Sequence, residues 1–188
     1  MKHFKNFKTC VYCTAQTLAS LDETTLARDY AYLEKYVGID KVYLETYRDG
    51  TWVSIDHMKM IQNFFKEHGV EIAGGITTVT PPLEKDDVKR QRLFQTFCYS
   101  NEAMRTYLKK IVTYTAELFD EIILDDFFFT SCTCDDCLRE RSNLSWAEFR
   151  SKKMIDVAEN LVLKPAKLAN PSVKVTIKYP NWRESYHE

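Results

Sequence analysis

The chain has 188 residues, of which 45% are hydrophobic and 28% are charged, and its formal net charge at pH 7 is −1. This composition is typical of a globular domain with one substantial core and excludes an intrinsically disordered chain. The balanced charge, with lysines and arginines dispersed along the chain, argues against nucleic acid or an anionic membrane as a partner.

Membrane insertion and secretion are also not indicated by the sequence. No apolar run approaches the roughly 20 residues that span a bilayer. The basic, aromatic start of the chain is not followed by the apolar segment and small-residue cleavage site of a signal peptide. Six cysteines are too few for a disulfide scaffold in a chain of this length, so we expect a reducing, cytoplasmic location.

Five short segments rich in branched and aromatic residues alternate with longer amphipathic segments, which predicts βα units around a parallel sheet. The predicted strands are residues 10–16, 41–46, 70–77, 121–126 and 173–179. A long loop is expected at residues 78–97, where Pro81 and Pro82 precede a mixed charge run.

Serine residues mark the starts of the predicted helices, since a serine hydroxyl can accept a hydrogen bond from a free helical amide. The predicted N-caps are Ser20 with Glu23 three residues later, Ser54, Ser100, and Ser145 with Glu148 three residues later. Gly38 and Gly69 stand directly before the second and third strands, where helix C-caps are expected.

Five successive βα units fit two α/β architectures, an open doubly wound sheet or part of a TIM-type (β/α) barrel. A complete barrel needs about 250 residues. We therefore expect residues 1–188 to form a single domain, the N-terminal portion of a (β/α)8 barrel. The first and fifth strands would then be exposed edges, which the remainder of the barrel or a second copy in a homo-oligomer would cover.

Three cysteines follow the fourth strand at the spacing Cys132-x-Cys134-x-x-Cys137, which allows their thiolates to converge on one tetrahedral ion. Helices in βα units run antiparallel to the strands, so Cys98, before the helix that leads into the fourth strand, should lie on the same face. The pattern predicts a structural Zn2+ held by Cys98, Cys132, Cys134 and Cys137. Surface thiols and iron–sulfur or redox chemistry are the alternatives.

One histidine and two further cysteines lie outside this predicted ligand set. His57, at the start of a helix, is a candidate substitute ligand, although a lone histidine there is more often a polar helix-end residue. Cys10 and Cys13 form a C-x-x-C pair within the first strand, where we expect them to be small buried side chains.

The predicted strands end in an unusually polar set of residues, and strand carboxyl ends are where active sites of barrels and open α/β sheets lie. These residues are Gln16, Glu45, Tyr47, Arg48, Asp49, Thr77, Thr78, Asp125, Asp126, Lys178, Tyr179, Asn181 and Trp182. Paired acids, amides and aromatic rings in one cleft suit a carbohydrate, because acids can catalyse glycosidic cleavage while rings stack on sugars.

Asp125 and Asp126 are the leading catalytic candidates, but neighbouring residues of a strand point to opposite sides. Only one should face the cleft, unless the strand has already ended. Glu45 is a candidate for the second carboxylate, and later strands of a full barrel are equally plausible sources. The alternatives are loop hydrogen bonding for the aspartates and an ion pair or loop anchor for Glu45 with Arg48. Residues 127–129, three phenylalanines, are expected to pack beneath the cysteine loop.

At residues 40–50, 74–77, 119–127 and 177–182 the chain resembles the N-terminal half of bacterial glycoside-hydrolase-like barrel proteins. The resemblance implies action on a carbohydrate, with Asp125 or Asp126 as nucleophile or acid. Tyr47, Arg48, Thr78, Lys178, Tyr179, Asn181 and Trp182 would then line the substrate cleft.

The cysteine pattern is similar to that of family 42 β-galactosidases, which implies zinc at the same four cysteines. Those enzymes carry a glutamate after an asparagine at the end of the fourth strand, where this chain has two aspartates, so galactosidase activity is not implied. A non-catalytic sugar-binding or scaffold module with a structural zinc remains the alternative function. A zinc-dependent hydrolase is disfavoured, because four thiolates leave no coordination position for water.

Overall fold

The computed structural model describes residues 4–79 and 93–179. The strands are β1 (Cys10–Cys13), β2 (Lys41–Arg48), β3 (Thr51–Trp52), β4 (Glu71–Thr77), β5 (Glu121–Asp125) and β6 (Lys174–Ile177). The helices are α1 (Ala15–Ser20), α2 (Glu23–Tyr36), α3 (Ile55–Glu67), α4 (Glu102–Leu118), α5 (Asp135–Arg141), α6 (Trp146–Val157) and α7 (Lys164–Ala169). A short 3-10 turn covers Leu93–Gln95, and a π-helical segment, Ala158–Leu163, joins α6 to α7.

The main sheet is parallel, with strand order β1-β2-β4-β5-β6, and β3 pairs antiparallel with the end of β2. Each parallel strand is therefore added on the same side of the preceding one. In a doubly wound sheet, later strands are added on the opposite side of the first strand from the earlier ones. In a (β/α) barrel, each new strand is added on the same side as the one before. The order confirms a partial TIM-type fold and rules out the doubly wound alternative for the described residues.

Alternate residues of β4 face two different layers. A Cβ atom on Gly74 would lie 2.6 Å from Thr115 Cγ2 of α4, so this side of the strand packs against the helices. A Cβ atom on Gly75 would lie 2.7 Å from the hydroxyl oxygen of Tyr12, on the opposite, inner side. The two glycines let a helix and a tyrosine approach the same strand from both sides.

The helix-facing side of the sheet forms the main core, because the branched residues of the strands pack there against α3, α4 and the helices that follow. Buried members from the strands and from α4 are Val42, Leu44, Ile76, Ile122, Leu124, Leu108, Ile111 and Val112. Two polar groups are accommodated on this side through hydrogen bonds: the hydroxyls of Thr46 and Thr115 lie 2.6 Å apart. The inner face is left to polar side chains.

The predicted end of the first strand and the predicted start of the first helix are both wrong. β1 ends at Cys13, and Thr14 caps α1, so Gln16 lies in a helix and not at a strand end. Ser20 is the last residue of α1, and its hydroxyl donates to the Thr17 carbonyl at 2.8 Å. The N-cap of α2 is Asp22, whose carboxylate is a stronger acceptor for the helix amides and is favoured by the helix dipole.

The other predicted helix ends agree more closely with the structure. Ser54 caps α3, and Ser145 forms a capping box with Glu148 at the start of α6, as predicted. Ser100 is wrong by one residue, because Asn101 caps α4 through a hydrogen bond from Met104 N. Gly38 and Gly69 follow the ends of α2 and α3 with φ of 74° and 71°, a conformation that glycine adopts without strain.

The ends of β2, β5 and β6 also differ from prediction, and β6 ends at Ile177, two residues before its predicted end. β2 continues two residues beyond the predicted end, to Arg48, because the chain turns at Asp49 and Gly50 and returns as β3. β5 ends one residue earlier than predicted, at Asp125. Of the predicted long loop, Val79 and Thr96 form an antiparallel bridge, and residues 80–92 lie outside the described residues. No helix in the described ranges combines the length and apolarity needed to cross a bilayer.

The close contact at Gly74 gives a stability test. Gly74→Ala should lower the free energy of unfolding by about 1–3 kcal/mol, because the new methyl group overpacks the interface between β4 and α4. Urea denaturation followed by circular dichroism measures the change. Lys152→Ala, at an exposed position of α6, serves as the control and should shift stability by less than about 0.5 kcal/mol. Equal stability of the two variants would contradict the packing described for β4.

Candidate active site and cysteine cluster

A cavity of about 600 Å³ opens at the carboxyl ends of β2, β4 and β5. Its described lining residues are Arg48, Thr77, Thr78, Val79, Phe94, Gln95, Thr96, Asp125 and Asp126. The cavity brings together residues from four parts of the chain, because parallel strands end at one edge of the sheet. Asp125 and Asp126 are the only carboxylates among these lining residues.

Glu45 lies beneath this cavity and is fully buried. Its Oε2 accepts hydrogen bonds from Ala15 N at 2.7 Å and from Arg48 Nε at 2.8 Å. Its Oε1 accepts from the Tyr12 hydroxyl at 2.8 Å and from Thr77 Oγ1 at 2.5 Å. Because each oxygen is engaged and hidden from solvent, Glu45 holds the surrounding strands together.

Arg48 connects Glu45 to the cavity. While its Nε bonds to Glu45, its Nη2 donates to Thr77 Oγ1 at 2.9 Å and lies 3.6 Å from Asp125 Oδ2. The guanidinium group is planar and presents several donors in a fixed geometry. It therefore links the position of the buried glutamate to that of the cavity carboxylate.

Asp125 and Asp126 both turn toward Lys178, which follows β6. Lys178 Nζ donates to Asp125 Oδ1 at 2.7 Å and to Asp126 Oδ1 at 3.0 Å. The strand ends at Asp125, and Asp126 has φ of 46°, so the alternation of side chains no longer applies there. The case in which the strand has already ended is the one observed.

The charged groups of this network shift one another's pKa values. Hydrogen bonds to Asp125 and Asp126 raise the pKa of Lys178 above its ordinary value. Burial lowers the pKa of Arg48, but the hydrogen bond and the charge of Glu45 raise it further, so the net shift is upward. Burial, together with the charge of Glu45, raises the pKa of Tyr12 well above its usual range. Tyr12 therefore remains a neutral hydrogen-bond donor to Glu45.

Tyr47, predicted to line the cleft, is instead part of the core. Its side chain is fully buried, and its hydroxyl donates to the Val79 carbonyl at 3.0 Å. The register of β2 against β4 shifts between Glu45 and Tyr47, so Tyr47 pairs with Ile76 and faces the helices. Its ring packs there against Trp52 and Tyr107.

The remaining predicted cleft residues have mixed positions. Thr78 lines the cavity and accepts a hydrogen bond from the Tyr99 hydroxyl at 3.2 Å. Tyr179 is 63% exposed, and its ring meets Phe128 edge-on. Gln16 donates from α1 to the Arg48 carbonyl at 3.3 Å. Asn181 and Trp182 lie outside the described residues.

Sequence reasoning did not identify Tyr12 or Phe94. The strand alternation offered a signal for Tyr12, since register pairs it with Tyr43 of β2, two residues before Glu45. Phe94 carries no such signal, because it lies in a loop without a periodic pattern. The folded arrangement places Tyr12 against Glu45 and Phe94 in the wall of the cavity.

The four predicted cysteine ligands form one cluster. Their Sγ atoms all lie within 4.8 Å of one another, and Cys98 Sγ is 3.4 Å from that of Cys134 and 3.7 Å from that of Cys137. Four thiolates around one tetrahedral zinc at about 2.3 Å have sulfur–sulfur separations of roughly 3.8 Å. All six cysteines of the chain are free of disulfides. The cluster could hold a metal ion.

The surroundings of the cluster differ from two expectations. Phe149 and Trp146 of α6 pack against the cysteines, whereas Phe127 belongs to the main core. The aromatic packing against the cysteines thus comes from α6, whereas Phe127 and Phe128 pack in the main core. His57 lies elsewhere, with Nε2 2.7 Å from the Leu18 carbonyl oxygen.

Cys10 and Cys13 are not the buried side chains that were expected. Cys10 is exposed and Cys13 is half-buried, because β1 is an edge strand whose second neighbour is absent from the described residues. Burial, followed by the charge of Glu45, raises the pKa of the Cys13 thiol to about 11.

Comparison with known proteins agrees with this architecture. A family model described as "Probable glycosyl hydrolase, catalytic domain" matches residues 1–188. An uncharacterized protein of Saccharolobus solfataricus is 33% identical over 207 residues, which covers 97% of this chain and 34% of that protein.

Two solved structures share the fold. The alpha-L-fucosidase isoenzyme 2 from Paenibacillus thiaminolyticus gives a TM-score of 0.60 at 11% identity, covering 90% of this chain and 32% of that chain. The beta-galactosidase from the psychrophilic Marinomonas ef1 gives a TM-score of 0.60 at 10% identity, covering 92% of this chain and 37% of that chain. The chain thus spans about a third of the length of each relative.

The buried carboxylate beneath the cavity gives a second stability test. Glu45→Gln keeps the side-chain size but places an amide against groups that all donate hydrogen bonds. We expect a loss of about 1–3 kcal/mol in the free energy of unfolding, since buried donors are left unsatisfied. Urea denaturation measures it. Glu71→Gln, which removes a carboxylate from the exposed pair with Lys8, is the control and should cost about 1 kcal/mol at most. If Glu45→Gln lost no more unfolding free energy than this control, the role of Glu45 in holding the strands together would be contradicted.

Proposed function

Because this chain belongs to the family of probable glycosyl hydrolase catalytic domains, we propose that it hydrolyses glycosidic bonds with Asp125 as a catalytic carboxylate. The observation that carries this proposal is the position of Asp125 at the end of β5, in the cavity, hydrogen-bonded to Lys178 and 3.6 Å from Arg48. Active sites of (β/α) barrels lie at this end of the strands.

Asp125 and Asp126 together do not supply a complete pair of glycosidase acids. The two acids of such a pair flank the scissile bond, one protonating the leaving oxygen and the other acting at the anomeric centre. Asp125 and Asp126 are consecutive residues that bind the same Lys178 nitrogen, so they approach a substrate from one side. We assign the role at the anomeric centre to Asp125 because two cations of the described residues contact it, whereas among those residues one cation, Lys178, contacts Asp126.

Asp125 would act there either as the nucleophile or as the base that activates a water molecule. The separation of the two catalytic carboxyl groups decides between these roles, at about 5 Å for direct attack and at a larger distance for a water-mediated one. We place the opposing acid on a part of the protein outside the described residues, since the cavity lining contains no third carboxylate among those described.

Glu45, the other expected catalytic residue, takes a positioning role in this proposal. Its side chain is fully buried, and Arg48 links it to Asp125. A group that transfers a proton or attacks a sugar must contact the substrate. Glu45 instead fixes the guanidinium group, which in turn fixes the carboxylate.

We propose that the four-cysteine cluster holds Zn2+ in a structural role. Four thiolates fit the closed coordination sphere of structural zinc, which offers no position for a reacting water molecule. The ion would tie the loop after β5, which carries Cys132, Cys134 and Cys137, to Cys98 before α4. Its contribution to function is the fixed path of the chain that leaves Asp125 and Asp126.

The catalytic proposal is tested with a panel of chromogenic α- and β-glycosides and the full-length protein. Asp125→Asn should lower kcat by roughly 10²–10⁴-fold or more, since it removes a group that acts directly in the reaction. Asp29→Asn, which alters an exposed carboxylate on α2, is the control and should leave kcat unchanged. Sugar binding without turnover in the wild-type protein, or full activity of the Asp125 variant, would overturn the proposal in favour of a non-catalytic sugar-binding module or another catalytic residue.

The metal proposal is tested by elemental analysis of protein purified without chelators. We expect about one zinc per chain in the wild-type protein, because four thiolates converge on one position. Cys98→Ser should lower the zinc content and the midpoint of thermal unfolding, since structural zinc contributes to folding. Cys10→Ser, which alters an exposed thiol outside the cluster, should change neither. Zinc well below one per chain in the wild type, or iron in its place, would refute the assignment.

A further inference from the structure

Phe94 is an exposed aromatic residue in the wall of the cavity that contains the two aspartates. It is 54% exposed, although large aromatic side chains are usually highly buried, and it lines the same cavity as Asp125 and Asp126. Its ring makes an edge-to-face contact with the ring of Phe129, with ring centroids 6.5 Å apart and planes at 84°. An aromatic surface is thus presented to the cavity and not withdrawn into the core.

The backbone at this position is strained. Phe94 has φ of 53° and ψ of 17°, and the next residue, Gln95, has φ of 52°. Bulky residues seldom adopt this left-handed conformation, because Cβ crowds the backbone. Such strain persists only where the surroundings hold it, and it is concentrated at functional sites.

The surroundings of Phe94 do hold this conformation. Val79 and Thr96 form a β-bridge, and Phe97 N donates to the Thr78 carbonyl at 3.1 Å. Thr78 directly follows the end of β4, so these contacts attach the strained turn to the sheet that carries the catalytic candidates. The exposed ring is therefore a fixed feature of the cavity wall.

The other groups of the cavity indicate which ligand the ring suits. Gln95 is exposed and provides an amide to the cavity, whereas the hydroxyls of Thr77 and Thr78 are engaged with neighbouring side chains. Among the described residues, two cations, Arg48 and Lys178, lie near the cavity, and each contacts a carboxylate. A ligand that has one apolar face, a polar edge and no net charge matches this set of groups. A neutral pyranose ring has these properties, because its axial C–H groups form an apolar face and its hydroxyls lie at the edge.

We propose that Phe94 is the aromatic platform on which a neutral pyranose unit of the substrate stacks beside Asp125. The proposal rests on carbohydrate as the ligand of the proposed function, and it adds the charge class of the sugar and the residue that selects it. The strained backbone turns the ring toward the cavity, so that stacking does not require a rearrangement when the sugar binds.

Binding is measured by saturation-transfer difference NMR with the full-length protein carrying Asp125→Asn, so that turnover does not interfere. The probes are methyl α- and β-glycosides of neutral hexoses and the corresponding hexuronides. Adding Phe94→Ala should weaken binding of the neutral glycosides on the order of tenfold or more, as expected for the loss of one large apolar contact. Adding Phe94→Tyr should preserve binding, because the ring remains. Leu168→Ala, which removes an apolar side chain that is 85% exposed on α7, should have no effect.

Thermal unfolding tests the strained display independently of any ligand. Phe94→Gly and Phe94→Ala both remove the ring, but only glycine adopts the left-handed conformation without strain. The glycine variant should therefore melt about 2–4 °C above the alanine variant. Equal or reversed melting temperatures would overturn the claim that the backbone holds the ring in place.

The outcomes separate this proposal from the catalytic one. Binding of neutral glycosides that depends on Phe94, in a protein that hydrolyses none of them, supports the platform and overturns the catalytic proposal. Hydrolysis and binding that are undiminished in Phe94→Ala overturn the platform and leave the catalytic proposal standing. Tighter binding of hexuronides than of neutral glycosides overturns the assignment of a neutral sugar.

Discussion

The arrangement of the cavity depends on the buried ion pair between Glu45 and Arg48. A carboxylate taken out of water is costly unless it is paired and hydrogen-bonded. Glu45 meets this requirement with donors from the start of α1, from β1, from β2 itself and from the end of β4. The ends of three neighbouring strands are therefore held around one side chain. Arg48 extends this constraint to β5 by its approach to Asp125.

With the proposed metal ion bound, the cysteine cluster would provide a second anchor on the other side of the same loop. Cys132, Cys134 and Cys137 follow Asp125 and Asp126 by a few residues and meet Cys98, which precedes α4. Between the two anchors, Asp126 and Phe128 have φ of 46° and 75°, conformations that these residues seldom adopt. A segment fixed at both ends can retain such strain. The two carboxylates thus leave the strand in a direction that the regular alternation of a sheet would not produce.

Features with a local or periodic cause could be predicted from the sequence. The five parallel strands follow from short branched segments separated by amphipathic ones, and the convergence of Cys98 with the other cysteines follows from helix direction in a βα unit. The helix starts at Ser54 and Ser145 depend only on nearby side chains. At Ser20 two local signals competed, and the carboxylate of Asp22 provided the stronger cap.

Features that depend on a single irregularity could not be predicted. A register shift after Glu45 turns Tyr47 into the core and Arg48 toward the cavity. Strict alternation would have placed Tyr47 on the same face as Glu45 and Arg48 on the opposite face. The left-handed turn at Asp126 brings two consecutive aspartates to one lysine. Phe94 lies in a loop whose conformation is set by contacts with residues distant in sequence. Three residues at these irregular positions, Arg48, Phe94 and Asp126, line the cavity.

The most direct test of the account is a crystal structure of the full-length protein carrying Asp125→Asn, with a bound methyl glycoside. We expect the sugar to lie at the carboxyl ends of β4 and β5, with its anomeric carbon about 3–3.5 Å from the side chain at position 125 or separated from it by one water molecule. We also expect the buried contacts between Glu45 and Arg48 to remain unchanged. A sugar bound away from this edge of the sheet, or with its anomeric carbon turned from position 125, would contradict the account.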